Sequence, residues 1–142
     1  MRLQFFKTNP KGIIPSYAHE GDSGMDISAT DSWTIPPHEF IKIGTGIGAV
    51  IPKGHEIQVR PRSGMSAKHG VVCSFGTVDE QYRGEIGVTL FNHGDQSYHV
   101  RYGDRVAQLV LVPVIRAEIE EVDRAVVGET DRGTNGFGST GR

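Results

Sequence analysis

The chain has 142 residues, 37% hydrophobic and 23% charged, which suffices for one domain with its own core and is not the composition of a disordered chain. A net charge near −2 excludes the broad basic surface that non-specific nucleic-acid binding needs, leaving room only for a local basic pocket. The single cysteine, Cys73, excludes an intrachain disulfide, and no apolar run approaches the roughly 20 residues of a membrane-spanning helix.

Glycine is the outlier, at 19 residues against an average usage of about 7%. It implies many tight turns or backbone-lined sites, hence a β-rich chain. The N-terminus, Met1 to Lys7, is too short in its apolar part for a secretory signal. With the unpaired cysteine this predicts a cytoplasmic protein, or a viral or phage protein in its host's cytoplasm.

In chain order, apolar runs at Leu3–Phe6, Trp33–Ile35, Phe40–Ile43, Ile47–Ile51 and Glu56–Arg60 read as strands. Pro36-Pro37, Gly44 and Pro52-Lys53-Gly54 punctuate them. The segment Ser63–Lys68, ended by Gly70, is the one helix candidate. Glu85–Asn92 alternates imperfectly, as a strand packed on both faces does, and Tyr98–Arg101, Val106–Val112 and Ile115–Ile119 complete the series. Short strands with turns about every 8–12 residues predict a sandwich, jelly roll or barrel. That barrel is expected over residues 1–127. Residues 128–142 carry Gly128, Gly133, Gly136, Gly138 and Gly141 around a single aromatic, Phe137, too little apolar surface to order alone. A free linker and a flexible tail that orders on a ligand both fit.

Five segments could carry chemistry. Ser23-Gly24-Met25-Asp26-Ile27 is a glycine turn opening a strand; Asp26 is either a turn residue or a carboxylate holding a divalent metal, directly or through water. Pro61-Arg62-Ser63-Gly64 stands at a strand end and helix start, where backbone N–H groups, a hydroxyl and a guanidinium suit an anion. Equally, Ser63 caps the helix and Arg62 is a solvated charge. Gly76-Thr77-Val78-Asp79-Glu80-Gln81-Tyr82-Arg83-Gly84 reads as a hairpin in which Asp79 could activate water and Tyr82 pack on a sugar, or as an ordinary turn. In Gly103-Asp104-Arg105-Val106-Ala107-Gln108-Leu109, Gln108 falls in the buried phase and needs a partner, backbone or ligand. The fifth is Arg132-Gly133-Thr134-Asn135 running into Gly136-Phe137-Gly138-Ser139-Thr140-Gly141.

Together and in this order, the five closely resemble the motifs of the trimeric dUTP diphosphatases (dUTPases), from Ser23 to Gly141. Departures are mild: Ser23 stands where alanine is frequent and Asn135 where glycine is frequent. The resemblance implies a jelly-roll-like distorted barrel and a homotrimer whose sites draw on several subunits, with the tail supplied by a neighbour. It implies Asp79 as general base, deprotonating a water that attacks the α-phosphorus of dUTP. It further implies Mg²⁺ on the triphosphate, fixed by Asp26 through water. Phosphate oxygens fall to Arg62, Ser63, Gly64, Gln108, Arg132, Ser139 and Thr140. Backbone from Cys73 through Gly76 to Val78, and at Gly87, pairs with uracil; Tyr82 lies under the deoxyribose and Phe137 stacks on the base.

A related family, the dCTP deaminases, uses a glutamate in the strand after the third motif; here Val88-Thr89-Leu90-Phe91-Asn92 has Thr89 at that place, and no acid–base group for deamination. Some dUTPase-like proteins act as regulators, which adds an insert or loses motif residues; this chain has the full set. The six histidines lack metal-ligand spacing. Cys73 reads as a small packed hydrophobe, Trp33 and Phe91 as core or interface.

Overall fold

The computed structural model describes residues 1–136: eleven strands, one α-helix and one 3-10 turn. The strands are β1 (Gln4–Lys7), β2 (Met25–Ser28), β3 (Trp33–Ile35), β4 (Phe40–Ile43), β5 (Ile47–Val50), β6 (His55–Arg60), β7 (Val71–Cys73), β8 (Gly76–Val78), β9 (Val88–Asn92), β10 (Tyr98–Val100) and β11 (Arg105–Pro113), with α1 (Ser63–His69) after β6. They pair antiparallel into sheets ordered β2-β11-β6-β8, β4-β9-β7, β1-β5 and β3-β10, a jelly-roll-like distorted barrel.

Alternation sets the inside. In β9, Val88, Leu90 and Asn92 point inward while Thr89 and Phe91 are half-covered. Ile27, Ile35, Ile43, Ile47, Ile57, Leu90 and Leu109 are fully buried and form the centre of the core. The longest strand, β11, breaks its alternation where the register with β2 shifts between Arg105 and Ala107. That bulge buries the consecutive residues Val106 and Ala107 and sets Arg105 beside β2, re-aiming a side chain as bulges do.

Asn92 is a polar residue at 1% exposure. Its Nδ2 donates to the carbonyls of Ile35, Pro36 and Gln96, and its Oδ1 accepts from the Gly94 N–H. It therefore ties β9 to the β3 end and to the turn before β10. Asn92→Ala strands three carbonyls at once, so unfolding free energy should fall by about 3 kcal/mol, read from urea denaturation. A loss within error would show the network carries no weight.

Three expectations are corrected. Ile115–Ile119 forms no strand; Ile115 and Ile119 are 96% and 95% exposed, and every described residue from 115 onward is exposed. The run Glu85–Asn92 is a strand only from Val88, because the backbone at 86 bonds to Ile47 across the barrel and not to a ladder neighbour of β9. The third motif is no hairpin: β8 pairs with β6, β9 with β4 and β7, so 79–87 is a loop joining two sheets. The helix prediction holds with one residue added, stopped by Gly70 at φ 65°, a left-handed cap glycine tolerates.

Candidate active site

Sheet register brings three distant segments together. β11 lies between β2 and β6, and Gln108 stands opposite Asp26 on one side and Arg60 on the other. Two residues past Arg60 the chain turns into α1, delivering Arg62, Ser63 and Gly64 to the same place. The result is a cleft of about 390 Å³ lined by Ser23, Gly24, Asp26, Arg62, Ser63, Gly64, Arg105 and Gln108, with Ala18, His19 and a second carboxylate, Asp22, at its side.

Two guanidiniums hold one carboxylate in this cleft. Arg62 Nε lies 3.0 Å from Asp26 Oδ1, and Arg105 Nη1 lies 3.1 Å from Asp26 Oδ2. Arg62 Nη1 also donates to the Arg105 carbonyl at 3.1 Å. Asp26 is largely covered, its side chain 19% exposed, so the cluster carries one surplus positive charge in a partly desolvated place. Arg62 is thus not a free surface charge. Nor is Ser63 the helix cap: Arg62 occupies that position without a side-chain capping bond, so the first-turn N–H groups at Ser63 and Gly64 lack a cap. Gln108 Nε2 donates to the Pro61 carbonyl at 2.9 Å, and its Oε1 lies where a side chain at residue 24 would begin. Gly24 is needed for that close approach. Two cations, open N–H groups and an amide make a receptacle for a polyanion.

A second, smaller hollow of about 200 Å³ is lined by Gly76, Thr77, Val78, Asp79, Tyr82, Glu85, Ile86, Gly87 and Lys42. β8 is the edge strand of its sheet, so one side of the Gly76–Val78 backbone is free to pair with a flat polar ligand edge. Asp79 follows it, exposed, and among the described residues its carboxylate has no hydrogen-bond partner. Tyr82 is 46% exposed, and its Oη donates to the Glu85 carbonyl at 3.0 Å. Cys73 is not in the lining; it is buried at the end of β7 in the other sheet, and burial pushes its thiol up to about 11. A neutral buried thiol is no nucleophile at neutral pH.

The two hollows have no lining residue in common. Motifs one, two and four meet; motif three stands apart. Arg132 is exposed, its Nε donating to the Asn135 carbonyl of its own turn. Phe137, Ser139 and Thr140 lie outside the described residues. Arg105 is the residue sequence alone missed; preceded by a Gly-Asp turn it reads as a strand-edge charge, and its partner is 79 positions away.

An antiparallel jelly-roll-like barrel with a cationic cleft and a backbone-edged hollow defines the class, a β-barrel enzyme that receives a polyanionic ligand. Within that class the chain belongs to the dUTPase family, whose model matches residues 10–141. It is 51% identical over 143 residues to the deoxyuridine 5'-triphosphate nucleotidohydrolase of Picosynechococcus sp., covering 99% of both chains. The dUTPase of Staphylococcus bacteriophage 80alpha, solved with dUpNHpp, superposes with a TM-score of 0.91 at 28% identity over 99% of each chain. A mutant dUTPase from phage phi11 of S. aureus, described for its coordination of a structural Mg(II) ion, gives a TM-score of 0.82 at 25% identity, over 87% of this chain and 98% of that one.

Proposed function

We infer that this chain hydrolyses dUTP to dUMP and diphosphate, lowering dUTP and supplying dUMP for thymidylate synthesis. The observation that carries this is the pair of hollows: one with two guanidiniums and open N–H groups fit for phosphates, the other backbone-edged and ending in a carboxylate without a partner among the described residues. In this assignment Arg62, Ser63, Gly64 and Gln108 hold phosphate oxygens. The free backbone edge at Gly76 and Val78, with Gly87, pairs with uracil, and Tyr82 packs under the deoxyribose and leaves no room for a 2′-hydroxyl. Asp79 takes a proton from water, the water oxygen bonds to the α-phosphorus in line, and the bond to diphosphate breaks. Such chemistry is mostly positioning and charge neutralisation.

The donor set fits a Mg²⁺ carried by the triphosphate. Asp26 is a carboxylate lining the phosphate cleft, and among the described residues no cluster of three or more His, Cys, Asp or Glu offers a protein cage. Mg²⁺ keeps waters and takes one or two carboxylates plus phosphates, so Asp26 would hold it through coordinated water. When bound, the ion neutralises phosphate charge.

A homotrimer with shared sites, in which the phosphate cleft of one copy faces the nucleoside hollow of another, accommodates two hollows that share no lining residue. The tail, residues 128–142, closes such a site, with Phe137 on the base, Arg132 at the γ-phosphate, and Ser139 and Thr140 on phosphate oxygens. The deaminase alternative loses ground in β9: Thr89, opposite Lys42, supplies no carboxylate. Incubation with dUTP, dCTP or dTTP plus Mg²⁺ separates the outcomes. Diphosphate from dUTP alone is expected; ammonia from dCTP, or no product from any, would overturn the assignment.

A further inference from the structure

Glu85 lies beside the nucleoside hollow, and the chemistry above gives it no task. Its Oε1 accepts two backbone N–H groups, from Thr45 at 2.8 Å and Gly46 at 2.9 Å. Both belong to the turn between β4 and β5, 40 and 39 positions earlier. Two N–H donors converging on one carboxylate oxygen make charge-assisted bonds, stronger than neutral ones. The turn and the start of β5 grip the next residue too: fully buried Thr45 donates its hydroxyl to the Ile86 carbonyl, and Ile86 N donates to the Ile47 carbonyl at 2.8 Å. On its other side, Glu85 supplies the carbonyl that receives the Tyr82 hydroxyl.

One residue therefore links the Tyr82 ring to the barrel wall. The far end of the loop is fastened separately, by Glu80 Oε2 on the Gly54 N–H at 2.7 Å. The Glu85 fastening stands between Tyr82 and the Ile86 bonds that precede Gly87.

We propose that Glu85 is a positioning residue for dUTP hydrolysis: by gripping the Thr45–Gly46 turn it sets the height of the Tyr82 ring and so the fit of the deoxyribose. The proposal rests on Tyr82 being the sugar platform. Loss of the grip acts on binding and sugar choice, not on the attacking water, because among the described residues the Asp79 carboxylate makes none of these bonds; only its backbone carbonyl meets Tyr82.

The test is steady-state kinetics on dUTP and UTP with the full chain. Glu85→Ala should raise KM for dUTP about tenfold with kcat within about twofold, and lower the dUTP-over-UTP preference about tenfold. Glu85→Gln should stay within about threefold of the parent, since its amide oxygen still accepts both N–H groups. Combining Glu85→Ala with Tyr82→Phe should cost no more than Glu85→Ala alone, because both cut one strut. A Glu85→Ala protein with a lowered Tm but parental KM and parental sugar preference would reduce Glu85 to a fold staple and overturn the proposal. If Glu85→Ala does not fold, Glu85→Asp, one methylene too short for both donors, is judged by the same two readouts. A parent enzyme inactive on dUTP would instead refute the functional assignment, a distinguishable result.

Discussion

Asp79→Asn is expected to bind dUTP about as tightly as the parent and to hydrolyse it some 10²–10⁴-fold more slowly, the range general-base removal commonly produces. The substitution isolates basicity. Asparagine keeps the shape of aspartate, and the backbone bond that closes the loop, from Tyr82 N to the Asp79 carbonyl at 3.0 Å, does not involve the side chain. Asp79 is exposed and among the described residues its carboxylate is unpaired, so no buried network collapses when its charge is removed. Affinity is measured by calorimetry with a non-hydrolysable dUTP analogue, and turnover by diphosphate release. Near-parental turnover would remove Asp79 as the base; parental folding with lost binding would make it a ligand contact instead.

What could be read from sequence divides along the range of the interactions that decide each feature. Strands bounded by proline or glycine, such as Trp33–Ile35 and Phe40–Ile43, were predicted to the residue because both signals are local. Val71–Cys73 and Gly76–Val78 are not legible as strands, since no turn signal closes the first and the second begins with glycine. Ile115–Ile119 has strand composition but no neighbouring edge to complete it; apolar alternation proposes a strand, and a partner decides. Motif order groups Asp26, Arg62, Ser63, Gly64 and Gln108, and β11 lying between β2 and β6 explains why they line one cleft. Arg105 was not legible, because its orientation follows from a bulge, which is a property of register.

The same register has a consequence for electrostatics. Both Asp26 oxygens are engaged by guanidiniums, so on the proposed assignment a metal-bearing triphosphate would compete for a carboxylate and for two arginines together.

Deleting residues 128–142 should leave the fold untouched and reduce kcat/KM by at least about a hundredfold. Described residues from 128 to 136 are all exposed, and their hydrogen bonds are local: Arg132 Nε to the Asn135 carbonyl at 3.1 Å, and Gly133 N to Thr130. Among the described residues no core contact is lost, so Tm should move by less than about 2 °C. Activity is different, because Arg132 and Phe137 are assigned to the γ-phosphate and the base, and closure excludes water from the phosphates. A fully active truncation would return the tail to the status of a linker. The truncation also asks which copy donates the tail. Tailless chains retain Asp79, and full-length Asp79→Asn chains retain the tail, so each is inactive alone. Refolded as a mixture, they regain activity only where an intact Asp79 from one copy meets the tail of another. Recovery in the mixture demonstrates donation between subunits; none, with mixed assembly verified by mass, means each chain closes its own site.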